Sequence, residues 1–341
     1  MSAFPDDTAA LDAWAVAHIE GYAGPSKAIK YPTGQSNPTY RLETPAKSYV
    51  LRCKPPGKLL KSAHMVEREF RVLRALETAG FPAPKALALC EDESVAGSVF
   101  YLMAHVEGRI LWDPGLADSN PAERAGIYDS MNQGLAQLHR IDVAAAGLAD
   151  FGKPGNYFAR QTQRWAEQYR LSETATIPEM DQLIDWLAAH MPPDDGRAAL
   201  VHGDFRIDNM IFAADSPNLL AVLDWELSTI GHPFADLAYQ CMQWRLPNTG
   251  DFRGLGGLDR AALGIPSDEE YVAAYCRRTG IESVPHWPFL IAFSFFRIAA
   301  IVQGVYKRAL DGNASNPQRG LKMGAGVPLM AKLAMAEAAK A

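Results

Sequence analysis

The chain has 341 residues, 48% of them hydrophobic, which is enough apolar material to bury a large core in two domains or one bilobal unit. Its 33 basic and 39 acidic residues give a formal net charge of -6 without long blocks of one sign, which excludes an obvious nucleic-acid-binding surface. The four cysteines lack the paired spacings of zinc or redox sites, so we expect reduced thiols. We find no signal-peptide pattern and no run of roughly 18 apolar residues, and therefore expect a cytoplasmic protein without a membrane partner.

The N-terminal part of the chain predicts a sheet with one internal helix. An amphipathic stripe from Leu11 to Tyr22 predicts a helix that packs outside this sheet. Gly80 is expected to end the internal helix, because glycine readily adopts the left-handed conformation found after helices. In chain order, the remaining predicted elements are a hairpin of strands 31–42 and 48–53 with a turn at 44–46, a helix over 63–79, and strands over 86–89 and 98–103.

Beyond residue 108 the apolar spacing is mostly helical, and we predict an α-rich second part. One hairpin interrupts it, with strands over 210–212 and 221–223 joined by the turn 215–218. The predicted helices cover 121–139, 156–169, 179–190, 234–245, 268–279 and 287–310.

The run His202-Gly203-Asp204, followed by Asn209 and Asp224, has the spacing of a phosphoryl-transfer site. Asp204 follows an apolar segment, where a carboxylate can accept a proton from a substrate hydroxyl. Asn209 and Asp224 offer hard oxygen ligands of the kind that Mg²⁺ prefers. Each residue alone is readily explained as a loop or cap residue, but the joint pattern rarely arises by accident. His202 is expected to brace the loop, since Asp204 already supplies the base.

This pattern resembles the aminoglycoside phosphotransferase family, which includes choline kinase-like enzymes and is related to the eukaryotic protein kinases. In that family His-Gly-Asp replaces the kinase His-Arg-Asp, and the resemblance covers nearly the whole chain. It implies an α+β, bilobal, protein-kinase-like fold, with a nucleotide-binding lobe over 1–104 and a catalytic lobe over 105–341. It also implies a phosphotransferase that uses ATP and Mg²⁺ to phosphorylate a hydroxyl of a small molecule.

The resemblance assigns nucleotide-binding roles in the first lobe. Arg52 aligns best with the family's strand cation that contacts the α and β phosphates, and Lys54, two positions on, is the other candidate. An exposed lysine at the strand edge explains Lys54 equally well. Glu69 matches the helix residue that pairs with the phosphate-binding cation, while Glu67 is expected to be a solvated charge.

Three further segments match family positions. Gly34 and Ser36 lie where a phosphate-covering loop belongs, although the full Gly-x-Gly-x-x-Gly spacing is missing. The backbone of Ala104 and Val106 resembles the hinge that binds the adenine edge. Asp236 resembles the buried carboxylate that braces the catalytic loop.

The acceptor is the least specific part of the pattern. Arg297 and Arg308 lie on one side of a predicted helix, either as a basic outer face or as an anion pocket. The chain most resembles the branch fused to acyl-CoA dehydrogenases, which implies a hydroxy acid or hydroxyacyl derivative as substrate. Three alternatives stay open: an aminoglycoside phosphotransferase, which would need an acidic pocket for its polycationic substrate, a catalytically weak nucleotide-binding regulator, and a non-kinase α/β protein.

Overall fold

A five-stranded antiparallel sheet forms the N-terminal part of the computed structural model, which describes residues 8–31, 37–55, 65–249, 253–313 and 316–341. The predicted phosphate-covering residues Gly34 and Ser36 lie outside the described residues. The strands follow the order β1-β2-β3-β5-β4 across the sheet. Their bounds are β1 Lys27–Lys30, β2 Thr39–Glu43, β3 Ser48–Cys53, β4 Ala86–Cys90 and β5 Phe100–Ala104.

The predicted hairpin of β2 and β3 is confirmed, with Glu43 opposite Ser48 next to the turn. The edge strand β1 was missed because its sequence, Lys-Ala-Ile-Lys, is largely exposed and lacks an apolar alternation. Lysines on an edge strand discourage pairing with other chains, so this composition suits the position. β5 ends at Ala104, where the predicted first lobe ends, and the division into lobes stays a prediction.

Three helices accompany the sheet: α1 Ala9–His18, α2 Val66–Thr78 and the short α3 Glu93–Ala96, which the sequence analysis missed. α2 is the predicted internal helix. Gly80 follows it with φ +64°, and Phe81 donates its amide to the Leu76 carbonyl, which satisfies a carbonyl of the last turn. The chain can therefore leave α2 sharply and return to the sheet.

Two apolar clusters lie on either side of this sheet. The smaller one joins α1 to one face and includes Leu11, Leu51 and Phe100. The larger one begins at α2 with Val66 and Leu76 and continues into the helical part of the chain. The two parts of the molecule thus share one core through α2.

The C-terminal part contains nine described α-helices, two described 3-10 helices at Ile207–Asn209 and Trp225–Leu227, and two small sheets. Strand β7 pairs with β10, and β6, β8 and β9 form a three-stranded antiparallel sheet. The predicted helices 121–139, 268–279 and 287–310 agree in their bounds with α4, α9 and α10. The elements are α4 Pro121–His139, α5 Tyr157–Ser172, α6 Pro178–Ala189, α7 Phe234–Gln243, α8 Arg260–Leu263, α9 Asp268–Thr279, α10 Trp287–Leu310, α11 Pro317–Gly324 and α12 Val327–Ala338, with β6 Arg109–Ile110, β7 Ala199–Val201, β8 Met210–Phe212, β9 Leu219–Val222 and β10 Thr229–Gly231.

Helix α10 is the central helix of this part and packs against α5, α7, α11 and α12. By length and composition it could cross a bilayer, so the expectation that no segment reaches that length and apolarity is wrong. In its most apolar window, however, 72% of the residues are buried inside the protein. Its apolar composition is therefore explained by packing within the core.

We expect Phe296→Ala, in the middle of α10, to lower the free energy of unfolding by about 3–5 kcal/mol, because it removes a fully buried ring and leaves a cavity. Urea unfolding followed by circular dichroism measures this loss. Leu310→Ala at the end of the same helix is the control, since Leu310 is 51% exposed and should lose little. Equal losses in the two variants would contradict the central position of α10.

Candidate active site

The catalytic-loop motif lies between β7 and β8, and the β8–β9 hairpin brings its parts together. Met210 pairs with Val222 across this hairpin, and the Leu223 amide donates a 2.8 Å hydrogen bond to the Asn209 carbonyl. Asp224 follows with φ +66°, a left-handed conformation that is tolerated by a short polar side chain. The hairpin therefore places the two predicted metal ligands on neighbouring strand ends.

Both carboxylate oxygens of Asp204 accept hydrogen bonds. The Tyr239 hydroxyl donates to Oδ1 at 2.6 Å, and Asn209 Nδ2 donates to Oδ2 at 2.9 Å. Burial raises the pKa of Asp204, and the Arg206 charge and the Tyr239 hydrogen bond oppose that rise. A carboxylate held in this way has a defined orientation and a greater proton affinity than an exposed one.

His202 is fully buried and braces the loop, as expected. Its ring accepts the Asp204 amide at Nδ1 over 3.1 Å and lies 2.8 Å from the Leu223 carbonyl at Nε2. A carbonyl can only accept and an amide can only donate, so this ring carries its proton on Nε2 and is neutral. His202 thus links the catalytic loop to Leu223, which lies between the end of β9 and Asp224.

Asp236, in the first turn of α7, accepts hydrogen bonds from the backbone of the catalytic loop. Its carboxylate accepts the amides of His202 at 2.6 Å and Gly203 at 2.8 Å, and His139 Nε2 lies 3.4 Å away. Although burial alone would raise the pKa of Asp236, His139 and the backbone donors hold it below its ordinary value of 3.8. The bracing role that the resemblance implies is therefore matched by direct contacts.

Gly203 has φ +84°, and a β-carbon there would lie 2.8 Å from the Leu227 carbonyl oxygen. The position therefore requires glycine on grounds of both backbone conformation and space. Its carbonyl accepts a 2.7 Å hydrogen bond from Arg297 Nη1, and Arg297 is only 6% exposed. The expected basic outer face is therefore wrong, because Arg297 is inside the protein and only Arg308 is exposed. An anion pocket that includes Arg297 stays a prediction.

Arg52 joins the sheet to the catalytic part of the chain. Its Nε lies 2.7 Å from Glu69, and its Nη2 lies 2.7 Å from Asp224 and 3.2 Å from Glu226. Burial opposes the charge of Arg52, but Asp224 and Glu69 outweigh it and raise its pKa. Arg52, the cation expected to contact the nucleotide phosphates, therefore forms an ion pair with Asp224, a predicted metal ligand.

Glu69 is 2% exposed and has three polar partners, namely Arg52, Asn37 and Tyr101. Asn37 Nδ2 donates at 2.6 Å and the Tyr101 hydroxyl at 3.2 Å. Burial raises the pKa of Glu69, and the charge of Arg52 opposes that rise. These contacts fix the orientation of Arg52, the role that the resemblance implies for Glu69.

Lys54 lies beyond the end of β3, and its ammonium pairs with Glu67. Glu67 is therefore the partner of a cation instead of the solvated charge expected from the sequence. The two cations have different acidic partners, and only Arg52 contacts Asp224. This geometry favours Arg52 as the phosphate contact, while a role for Lys54 stays a prediction.

The predicted hinge residues follow the end of β5. The Ala104 amide donates to the Lys85 carbonyl at 2.8 Å, so Ala104 can offer a nucleotide only its carbonyl oxygen. Val106 is half-buried and lies two residues beyond the end of β5. Within the predicted pair, this leaves the acceptor role to Ala104, and binding of the adenine edge by the two residues stays a prediction.

Asn209 and Asp224 fit a magnesium ion that arrives with phosphates. Both bonds to Asp204 use Asn209 Nδ2, so Oδ1 is the atom available to a cation. Within the described ranges no group of three His, Cys, Asp or Glu side chains could hold a metal. Mg²⁺ commonly uses one or two protein ligands and completes its shell with phosphate and water, which suits this pair.

Sequence reasoning missed Tyr239, Arg206 and Arg297 near Asp204. Tyr239 had a detectable signal, because it lies three residues after Asp236 on a helix and such residues share a face. Arg206, two residues after Asp204, forms an ion pair with Asp208 inside the loop. Nothing in the sequence around Arg297 indicates its contact with Gly203, because that contact depends on how α10 packs.

We expect Asp236→Asn to lower the free energy of unfolding by about 3 kcal/mol at pH 7, because two buried amides lose a charged acceptor. A carboxylate whose pKa falls on folding stabilises the protein above its unfolded value of 3.8, and this contribution is lost as pH falls through the folded value. The difference from wild type should be constant above about pH 5 and narrow only below about pH 4. Urea unfolding at several pH values tests this.

Asp215→Asn is the matched control, because Asp215 is exposed in the turn between β8 and β9. A loss in Asp236→Asn no larger than in this control would contradict the bracing role.

A model of the phosphotransferase enzyme family matches residues 27–290. Among curated relatives, acyl-CoA dehydrogenase family member 10 of Mus musculus is 51% identical over 294 residues, which are 86% of this chain and 27% of that protein. The chain thus spans about a quarter of the length of this relative.

Two solved structures illustrate the fold. A candidate aminoglycoside phosphotransferase from Ralstonia eutropha is 50% identical with a TM-score of 0.88, and 99% of each chain is covered. Spectinomycin phosphotransferase, solved with ADP and spectinomycin, is 12% identical with a TM-score of 0.64, covering 98% of this chain and 99% of its own, and supports the fold alone. The predicted protein-kinase-like α+β fold and small-molecule phosphotransferase class are confirmed. The chain belongs to the phosphotransferase enzyme family.

Proposed function

We propose that this protein transfers the γ-phosphoryl group of ATP, with Mg²⁺, to a hydroxyl of a small molecule in the cytoplasm. The observation that carries the proposal is the ion pair between Arg52 and Asp224, 2.7 Å long and 172 positions apart in the chain. It brings the expected phosphate-binding cation next to the expected metal ligand, which follows the hairpin beside the catalytic loop. Phosphoryl transfer depends mainly on such positioning and on charge opposite the phosphates.

The nucleotide lies between the two lobes, residues 1–104 and 105–341, in this proposal. The Ala104 carbonyl and Val106 amide bind the adenine edge, and Arg52, oriented by Glu69, contacts the phosphates. Two members of the fold were solved with ADP and AMP-PNP respectively, which supports ATP as the donor. Nucleotide binding requires an exchange of partners, because Arg52 leaves Asp224 for the phosphates.

The chemical step uses Asp204 as the base. The acceptor hydroxyl gives its proton to the Asp204 carboxylate while its oxygen forms a bond to the γ-phosphorus. The bond from that phosphorus to the β,γ-bridging oxygen breaks, and ADP leaves with the electron pair. Mg²⁺ held by Asn209 and Asp224 would neutralise charge on the phosphate oxygens. The hydrogen bonds from Tyr239 and Asn209 keep the Asp204 carboxylate oriented before the acceptor arrives.

For the acceptor, we propose a hydroxy acid or a hydroxyacyl derivative. Relatives at up to 51% identity are named acyl-CoA dehydrogenases, and the chain matches only a part of them. Arg206 is half-exposed in the catalytic loop and its charge acts directly on the Asp204 carboxyl. A cation beside the base favours an anionic or neutral acceptor over a polycation.

The second candidate is an aminoglycoside acceptor. The Ralstonia eutropha structure, 50% identical over nearly the whole chain, is described as a candidate enzyme of that class. Such an acceptor would need acidic side chains around the base to match its positive charges.

Asp204→Asn should lower kcat by at least about 10²-fold, because the amide cannot accept the hydroxyl proton. Transfer to the acceptor, followed by mass spectrometry of the phosphorylated product, measures this loss. The variant should keep the rise in Tm caused by Mg-ATP, since its nucleotide contacts are intact. Asp224→Ala is the complementary variant and should lose most of that rise. Near-normal turnover in Asp204→Asn would mean that another group is the base.

Turnover with 4-hydroxy acids or their CoA esters should exceed turnover with kanamycin. A screen of both acceptor classes at matched concentration, with formation of the phosphorylated product as the readout, tests this ranking. ADP release alone is not sufficient, because water can replace the acceptor. The reverse ranking would favour the aminoglycoside candidate.

A further inference from the structure

Arg297 is a buried cation in the middle of α10 whose partners are not carboxylates. Its Nη1 donates to the Gly203 carbonyl at 2.7 Å, and its guanidinium lies over the Tyr239 ring at 5.7 Å from the centroid. Only 6% of the residue is exposed. Among the described residues it forms no ion pair, whereas Arg52, whose side chain is 12% exposed, is paired with three carboxylates.

Such a group is costly to keep. A buried charge loses its hydration, and a carbonyl and an aromatic face replace only part of it. An apolar residue would pack more easily at this position of an apolar helix. Its two neighbours, Gly203 and Tyr239, belong to the catalytic loop or contact it.

Both backbone polar groups of Gly203 have a side-chain partner. Asp236 of α7 accepts its amide at 2.8 Å, and Arg297 of α10 donates to its carbonyl. A β-carbon on Gly203 would lie 3.2 Å from Arg297 Nη2, so the missing side chain also permits the close approach of the guanidinium. The residue that follows is Asp204, so these two contacts set the direction in which its carboxylate leaves the backbone.

The contact between Arg297 and the Tyr239 ring also affects the Asp204 carboxylate. Tyr239 is 3% exposed, with its ring against Arg297 and its hydroxyl 2.6 Å from Asp204 Oδ1. Arg297 therefore supports both the backbone that carries Asp204 and the side chain that orients it.

We propose that Arg297 is a positioning residue for phosphoryl transfer, which holds the Gly203 carbonyl and the Tyr239 ring so that the Asp204 carboxylate faces the acceptor. This inference rests on the proposed role of Asp204 as the base. In this role Arg297 acts on Gly203 and Tyr239 and needs no contact of its own with substrate or nucleotide. It acts through the geometry of the loop, so its loss should affect the chemical step and leave nucleotide binding nearly unchanged.

The test compares kcat and the KM for ATP in Arg297→Met, Arg297→Lys and Tyr239→Phe. We expect Arg297→Met to lose about 10²-fold in kcat with the KM for ATP nearly unchanged, since small misplacements of a catalytic group have effects of this size. Arg297→Lys keeps the charge and one donor, and should recover part of the loss. If Arg297→Met does not fold, the kcat of Arg297→Lys still tests the proposal.

Two controls separate positioning from general stability. Arg308→Gln removes an arginine from the exposed end of the same helix and should leave kcat unchanged. Gln303→Leu breaks a buried 2.8 Å hydrogen bond from α10 to the Ser172 carbonyl and should lower Tm with little change in kcat. If Arg297→Met and Arg297→Lys lose no more kcat than Gln303→Leu at equal loss of Tm, Arg297 is only structural and the proposal is overturned.

A double-mutant cycle tests the shared route. Because both residues act through Asp204, Arg297→Met combined with Tyr239→Phe should lose less than the product of the single losses. Losses that multiply would contradict a common route.

Asp204→Asn separates the two proposals. If it retains activity, the assignment of Asp204 as the base fails. If it is inactive while all Arg297 variants have normal kcat, only the positioning role of Arg297 fails.

Discussion

The ion pairs of Arg52 are the interaction on which the arrangement of the site depends. One guanidinium contacts Glu69 on α2, Asp224 after β9, and Glu226, so the sheet, its internal helix and the catalytic part meet at a single charge. Acidic side chains brought together in a partly buried cleft would repel one another without a cation between them. In the proposed function the same cation exchanges Asp224 for the nucleotide phosphates.

A second feature is that the catalytic loop is held mainly through its backbone. Asp236 accepts hydrogen bonds from two backbone amides, and Arg297 donates to a backbone carbonyl. The His202 ring contacts the Leu223 carbonyl, one residue before Asp224. Backbone contacts keep their geometry when the side chains of the loop exchange partners during a reaction. The proposed base can therefore keep its position while protons and phosphates move around it, as positioning-based catalysis requires.

Much of this site was accessible from the sequence because its residues lie close together along the chain or follow a known family pattern. Asp204, Asn209 and Asp224 sit on one loop and one hairpin, whose register is specified locally by a turn. Arg52 and Glu69 could be named only through the resemblance, and the choice between Arg52 and Lys54 needed their acidic partners. Arg297 was misread, because a helical pattern does not reveal which face of α10 meets the loop.

The sequence alone thus determined the reaction class, the catalytic loop and most helices, since these follow from local spacing, periodicity and a recognisable motif. Tertiary structure decided which charges meet: Arg52 with Asp224, Lys54 with Glu67, and Arg297 with Gly203. The two residues of these pairs are 172, 13 and 94 positions apart in the chain, respectively. They arise from the packing of elements, and the energy of a charge in this cleft depends on burial and partners that no local pattern records.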